Sequence, residues 1–243
     1  MSAAAGWTAS LDATLRAGGT AERAADQKRY LKSDLTFYGV TVPKIRNVAK
    51  QFERSEPDLS REDLRALVGE LWSEPVNERR FLAIILLDSY EPLLEDADVA
   101  LIERFLRESR TWALVDPLAT GAASTLLERH VGSDGIVESW AVDDDLWIRR
   151  AALLVHLIPL RYGRGDFERY GRIADPMLEE REFFIRKAIG WVLRDMSRRD
   201  PDAVYAWFLP RAHRASGVTM REVVKHLSAE QAEAIVCAYE EGK

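Results

Sequence analysis

A basic residue returns every 34–37 positions along this 243-residue chain, and one slot of that cycle holds an aspartate instead. Lys44 stands in VPKIRNVAK, Arg80 in NERRFLAIILL, Arg150 in WIRRAALLVHL and Lys187 in FIRKAIGWVLR, with gaps of 36, 70 (two periods) and 37. One period further lies MREVVKHL, with Arg221 and Glu222. The skipped slot falls in TWALVDPLA, at Asp116. A row of cations suits a phosphate backbone, whose negative charge Lys and Arg neutralise. A carboxylate in that row repels the same backbone, so it needs a separate chemical reason. Trp112 lies four residues before it, a spacing that shares one face of a helix. An indole beside a carboxylate makes a site for a flat cationic ligand, the ring offering its π-face and the acid its charge. Asp116 can equally be the N-cap before Pro117, because Asp-Pro often opens a helix and Pro disfavours helical geometry in the residue before it. Spacing alone favours the cap.

Two further constellations carry cations beside aromatics. In DDDLWIRRAALL, Arg149 and Arg150 follow Trp147 at a helix start. Adjacent arginines there can contact consecutive phosphates, or one can pair with the Asp143–Asp145 run; Trp147 reads as core. In FFIRKAIGWVLRDMSRR, Lys187, Trp191, Arg194 and Arg198 follow i, i+4, i+7 and i+11 and form one stripe. Three cations around an indole on a single helix face suit a nucleic-acid surface, with the ring against sugar or base. Other chemistries lack their residues. There is no HExxH, P-loop, Gly-rich dinucleotide turn or GxSxG. The four histidines, His130, His156, His213 and His226, have no ligand spacing. His156 sits in an apolar helix and reads as a satisfied core residue, so no metal or cofactor is expected.

The elements that must position these residues are helical. LRALVGELW, RRFLAIILLDSY, DVALIERFLRE, IRRAALLVHLI, FFIRKAIGWVLRDM and DAVYAWFLPRA carry apolar residues at three- and four-residue spacing, and no useful stretch alternates with period two. Turn signals fall at Glu56-Pro57-Asp58, Glu74-Pro75, Tyr162–Gly165, Asp175-Pro176 and Asp200-Pro201. Several of these read as helix starts with Asp as cap and Pro in the first turn. Helices of this length on a period near 36 predict paired antiparallel helices stacked as an α-α superhelical solenoid, one domain over 1–243. The recurring cation then falls near the first turn of each more apolar, inner helix and faces a concave groove. Helix N-terminal amides there favour phosphate.

Composition sets the outer bounds. The chain is 47% hydrophobic and 30% charged, which is globular rather than disordered. No apolar run approaches a membrane span, and MSAAAGWTASLDATL lacks the features of a signal peptide. The single cysteine, Cys237, reads as a small buried residue of the last helix and excludes a disulfide framework. A reducing cytosol is the expected compartment. The net charge of −6 is unevenly spread: residues 91–145 carry 13 acids against 4 Lys/Arg, whereas 146–199 carry 12 Lys/Arg against 7 acids. A chain so polarised can present one positive face while staying acidic overall.

At these residues the sequence resembles the AlkD-type bacterial DNA glycosylases, HEAT-like repeat proteins that excise alkylated purines. The likeness runs from about Arg29 to Leu227 through RYLKSDLTFYGVTVPKIR, ELW…ERRFLAIILL, TWALVD, LWIRRAALL, FFIRKAIGWVLRD and REVVKHL. It implies a groove that wraps double-stranded DNA, with no base-extruding pocket and no cofactor. The family's catalytic aspartate and two tryptophans fall on Asp116, Trp112 and Trp191. Its backbone-contacting arginines fall on Arg150 and Arg194, and its N-terminal tyrosine on Tyr30. With the cation row and stripe, the expected DNA contacts are Tyr30, Lys44, Arg80, Arg149, Arg150, Lys187, Arg194 and Arg198. One departure stands out: a family lysine that meets the backbone after the WxxRAA stretch is replaced here by His156-Leu157-Ile158-Pro159. The expected function is excision of N3- or N7-alkylated purines by a monomer in the bacterial cytosol. The competing readings are a non-catalytic binder of damaged or branched DNA and a protein–protein scaffold.

Overall fold

A computed structural model describes residues 3–129 and 132–242, without the side chains of Ser133 and Asp134; His130 lies outside them. The fold class expected from the periodicity is the one observed: the described residues are helical, with a lone β-bridge between Thr36 and Val76. The chain forms two compact units, Met1–Leu118 and Ala119–Lys243.

The first unit contains α1 (Ala3–Gly18), α2 (Ala21–Leu31), α3 (Val42–Ser55), α4 (Arg61–Ser73), α5 (Asn77–Ser89), α6 (Val99–Ser109) and α7 (Trp112–Leu118). Its core is built where the heptad-like spacing placed it: Leu64, Leu67, Val68 and Leu71 of α4 and Leu82, Ile84 and Leu86 of α5 are fully buried. Each such side chain contributes about 1.5–3 kcal/mol relative to exposure. Trp72 stacks on Phe105 with centroids 4.0 Å apart. The second unit contains α8 (Ser124–Arg129), α9 (Ser133–Ala141), α10 (Leu146–Leu154), α11 (Leu157–Arg161), α12 (Phe167–Met177), α13 (Phe183–Ser197), α14 (Pro201–Phe208), α15 (Gly217–Val223) and α16 (Ala229–Glu241). Its densest packing is α13 against α15, where Gly190 lets the helices close: a Cβ on it would lie 2.7 Å from Glu222 Cβ.

The repeat seen in the sequence reappears as the separation between bonded side chains. In the first unit Trp72 Nε1 donates to Glu108 at 36 residues' distance, Arg61 to Asp98 at 37, and Tyr90 to the Glu56 carbonyl at 34. In the second, Arg161 pairs with Asp195 at 34, Arg164 with Glu128 at 36, Arg211 with Asp175 at 36 and Lys187 with Glu222 at 35. Each repeat therefore docks on the next through polar bonds as well as through its apolar face, which is the nearest-neighbour stacking a helical repeat requires.

Several local expectations are corrected. Asp200-Pro201 does open α14, with the Asp200 carboxylate accepting from Ala203 N–H at 2.9 Å. Asp175-Pro176 and Asp116-Pro117, by contrast, lie inside α12 and α7 near their ends. A proline in a last turn costs one N–H bond, and α12 stops one residue after its own. Cys237 is exposed rather than buried. His156 is buried at 7% exposure but not satisfied, since its Nε2 has no hydrogen-bond partner; burial, then the charge of Arg169, pushes its imidazole down to about 4.

Candidate functional site

In the first unit the candidate chemistry sits on α7. Thr111 starts this helix, its carbonyl accepting from Leu114 and Val115 N–H at 3.2 and 3.1 Å. Leu114, Val115 and Leu118 are fully buried, while Trp112, Ala113, Asp116 and Pro117 are half-buried. At 100° per residue that burial pattern fixes the rotation of the helix, so Trp112 and Asp116 share the opposite, accessible face. The shared-face geometry holds and the cap reading of Asp116 fails, because burying three aliphatic side chains outweighs the local bias before proline. The Tyr30 ring meets Trp112 edge to face, with centroids 6.1 Å apart and planes at 83°. Tyr30, Trp112 and Asp116 thus form one cluster.

Tyr30 is 73% exposed on α2, a helix with no fully buried residue. What holds α2 is the extended segment after it. Glu78, buried at 0% exposure, accepts the N–H groups of Tyr38, Gly39 and Val40 at 3.0, 2.8 and 3.1 Å. Gln27 of α2 donates to the Val40 carbonyl at 3.1 Å. Gly39 takes φ 81, and a Cβ there would lie 2.1 Å from the Thr20 carbonyl oxygen, so the segment can close on α2 only with glycine. Lys44, the third residue of α3, is exposed and donates to the Gly18 carbonyl at 3.0 Å. Arg80, the fourth of α5, lies over Trp72 at 5.0 Å and donates to the Glu108 carbonyl at 2.7 Å; burial lowers its pKa.

In the second unit α13 presents the expected stripe. Ile185, Ala188, Ile189, Val192 and Leu193 are buried, which turns Lys187, Trp191 and Arg194 to a half-exposed face and Arg198 to an exposed one. Glu222 of α15 lies under that face. One of its oxygens accepts Lys187 Nζ and Lys225 Nζ, and the other accepts Arg194. Burial opposes its ionisation, yet those bonds and the charges of Arg194 and Lys187 prevail and hold its carboxyl at about 2. Arg198 donates to His226 Nε2 at 3.1 Å.

The Arg149–Arg150 pair is not presented as expected. Arg149 makes a two-pronged bond to Glu180, both at 3.0 Å, and donates to the carbonyls of Asp143 and Asp144. Arg150 is 3% exposed, donates to the Phe184 carbonyl and lies 5.7 Å from the Phe184 ring. Both guanidiniums are engaged in fastening α10 to the start of α13. Trp147, taken as core, is half-buried and tilts against Phe184 at 5.0 Å.

The family model described as DNA alkylation repair enzyme matches residues 11–227. The chain belongs to the DNA alkylation repair enzyme family. A solved structure described as a predicted DNA alkylation repair enzyme from Enterococcus faecalis is similar in fold, with a TM-score of 0.77 and 22% identity, covering 87% of this chain and 97% of that one. No curated protein matches the chain.

In this DNA alkylation repair family member, the sequence alone assigned no role to two acids, each of which organises the candidate residues of its own unit. Glu78 stands two residues before Arg80 and reads as one more surface charge. Glu222 had a usable signal, since it falls 35 residues after Lys187, one repeat away and in register to pair with it. Among the described residues no group of three or more His, Cys, Asp or Glu could hold a metal, and no helix is long and apolar enough to cross a membrane.

Proposed function

We propose that this protein is an alkylpurine DNA glycosylase, cleaving the N-glycosidic bond of N3- or N7-alkylated purines in double-stranded DNA. The observation that carries this reading is the accessible face of α7, where Trp112 and Asp116 lie one turn apart with the Tyr30 ring against Trp112. An alkylated purine already bears positive charge, so its C1′–N bond can break with the electron pair leaving on a base that becomes neutral. Charge then develops on the deoxyribose as oxocarbenium character. Asp116 stabilises that cation and orients the water that adds to C1′, whose proton passes to solvent. A preorganised charge of this kind contributes about 3–4 kcal/mol. Trp112 and Tyr30 hold sugar and backbone and exclude bulk water, and the resemblance assigns the same role to Trp191 of the second unit. Lys44, Arg80, Lys187, Arg194 and Arg198 meet phosphates, which position the duplex without reading its sequence. The reaction draws on water and a carboxylate, and needs no cofactor. Selectivity comes from the lesion's own charge, in place of an extruded-base pocket.

The test is release of 7-methylguanine from methylated duplex by Asp116→Asn. Duplex affinity is expected to persist while the excision rate falls roughly 10²–10³-fold. Excision at the normal rate overturns the role of Asp116. Tight binding by the wild type without any abasic product supports a non-catalytic DNA binder instead.

A further inference from the structure

Neutralising one buried carboxylate requires one cation; Glu222 has three. Lys187, Arg194 and Lys225 converge on its two oxygens. The carboxylate is 6% exposed, whereas the three cationic side chains are 41%, 28% and 47% exposed. The cluster therefore keeps its single negative charge inside and a surplus of two positive charges outside. Glu222 cannot swing away to yield its place, because its Cβ is packed where α13 and α15 close over Gly190. Lys225 and His226 belong to the short turn Val224–His226 after α15, and His226 accepts from Arg198. One turn thus gathers both ends of the α13 cation stripe.

We propose that Glu222 is a positioning residue whose buried carboxylate holds Lys187, Arg194 and Lys225 as a single outward-facing clamp for a backbone phosphate, so that Lys225 is itself a DNA contact. This rests on the reading of the protein as a DNA-binding glycosylase. Lys187, Arg194 and Lys225 stay partly exposed with donors left over after their bonds to Glu222, and the anion a duplex supplies to such donors is a phosphate.

The test is the salt dependence of duplex binding together with single-turnover excision. Lys225→Gln is expected to weaken binding to duplexes of any sequence by roughly five- to tenfold near 0.1 M salt and to reduce the log–log salt slope by about 0.9. Lys225→Arg is expected to restore both. Glu222→Gln keeps the shape but removes the inner negative charge: the slope steepens by about 0.9 and undamaged duplex binds more tightly. Excision slows in that variant because Arg194 and Lys187 are no longer held in register. A merely structural Glu222 shifts only the melting temperature, leaving slope and excision rate unchanged, and that result overturns the proposal. If Glu222→Gln does not fold, the Lys225 pair decides, and an unchanged slope in Lys225→Gln refutes the clamp. A wild type with no salt-dependent duplex affinity refutes the DNA reading itself, whereas wild-type binding and excision with unresponsive variants refute the clamp alone.

Discussion

The aromatic cluster on α7 depends on an acid that touches neither ring. Glu78 holds Tyr38, Gly39 and Val40, Val40 holds Gln27, and Gln27 lies on α2, which carries Tyr30 to Trp112. Since α2 has no fully buried residue, little else fixes it. Replacing Glu78 by Gln retains one carbonyl oxygen for two of the three N–H groups and turns an NH2 donor toward the third. The orphaned Tyr38 N–H is part-buried, so its loss costs about 1 kcal/mol, the low end for an unsatisfied donor. The two surviving bonds lose their ionic character and about half their strength, roughly another 1 kcal/mol. Removing a fully buried charge offsets part of this. The net expectation is about 1–2 kcal/mol, a fall in melting temperature of roughly 3–6 °C for a chain of this size. Thermal unfolding by circular dichroism measures the loss. Hydrogen exchange over residues 21–31 shows where it is felt, with α2 losing protection before α4 and α5. Excision falls with it, since Tyr30 no longer meets Trp112. A melting temperature within 1 °C of wild type, with α2 protection intact, refutes this chain of support.

The buried imidazole of His156, held down at about 4, makes stability pH-dependent in a defined direction. The unfolded chain takes up a proton near pH 6.5 that the folded protein refuses until about pH 4, so stability is full above that window and falls as pH drops through it, by at most about 1.4 kcal/mol per unit. His156→Leu is expected to flatten the melting profile between those limits, and an unchanged profile would remove His156 as the cause. Gly190→Ala places a methyl 2.7 Å from Glu222 Cβ, forcing α15 off α13 at a cost of about 1–3 kcal/mol. Its melt should fall; a wild-type melt would mean that the helices can slide to accommodate it.

Much of the architecture is legible because a repeat is written twice, once in apolar spacing and once in the distance between bonded partners. Lys44 and Arg80 are the third and fourth residues of their helices and Arg150 and Lys187 the fifth of theirs, so each cation falls at or just past a first turn, as the period implied. What the sequence hides is where donors point. Arg150 and Arg194 are the same residue type in similar helices, yet Arg150 is 3% exposed against a carbonyl and Arg194 stands half-exposed beside Glu222. Charge type does not report the neighbour that answers it. The Asp116-Pro117 pair was misleading for a different reason: an N-cap is worth about 1 kcal/mol, and α7 buries three aliphatic side chains only if the helix runs through Asp116.

How a chain of net charge −6 can hold DNA then becomes a question of which cations are cancelled. Arg149 is answered in full by Glu180 and drops out. Lys44 and Arg80 bond to carbonyls, neutral acceptors that fix the side chain but leave its charge to act at a distance. Lys187, Arg194 and Lys225 share one carboxylate and keep two charges of three. Arg198 bonds to an imidazole nitrogen that accepts only while neutral. On the proposed function, the backbone therefore meets a few retained charges in each unit of an acidic molecule. Such a set gives affinity that is modest and strongly salt-dependent, and long-range repulsion from the remaining acids discourages contact anywhere else on the surface. Under that proposal Asp116 is tolerable because its repulsion of phosphate is confined to one point, the point assigned to a deoxyribose that becomes positive as it loses an alkylated base.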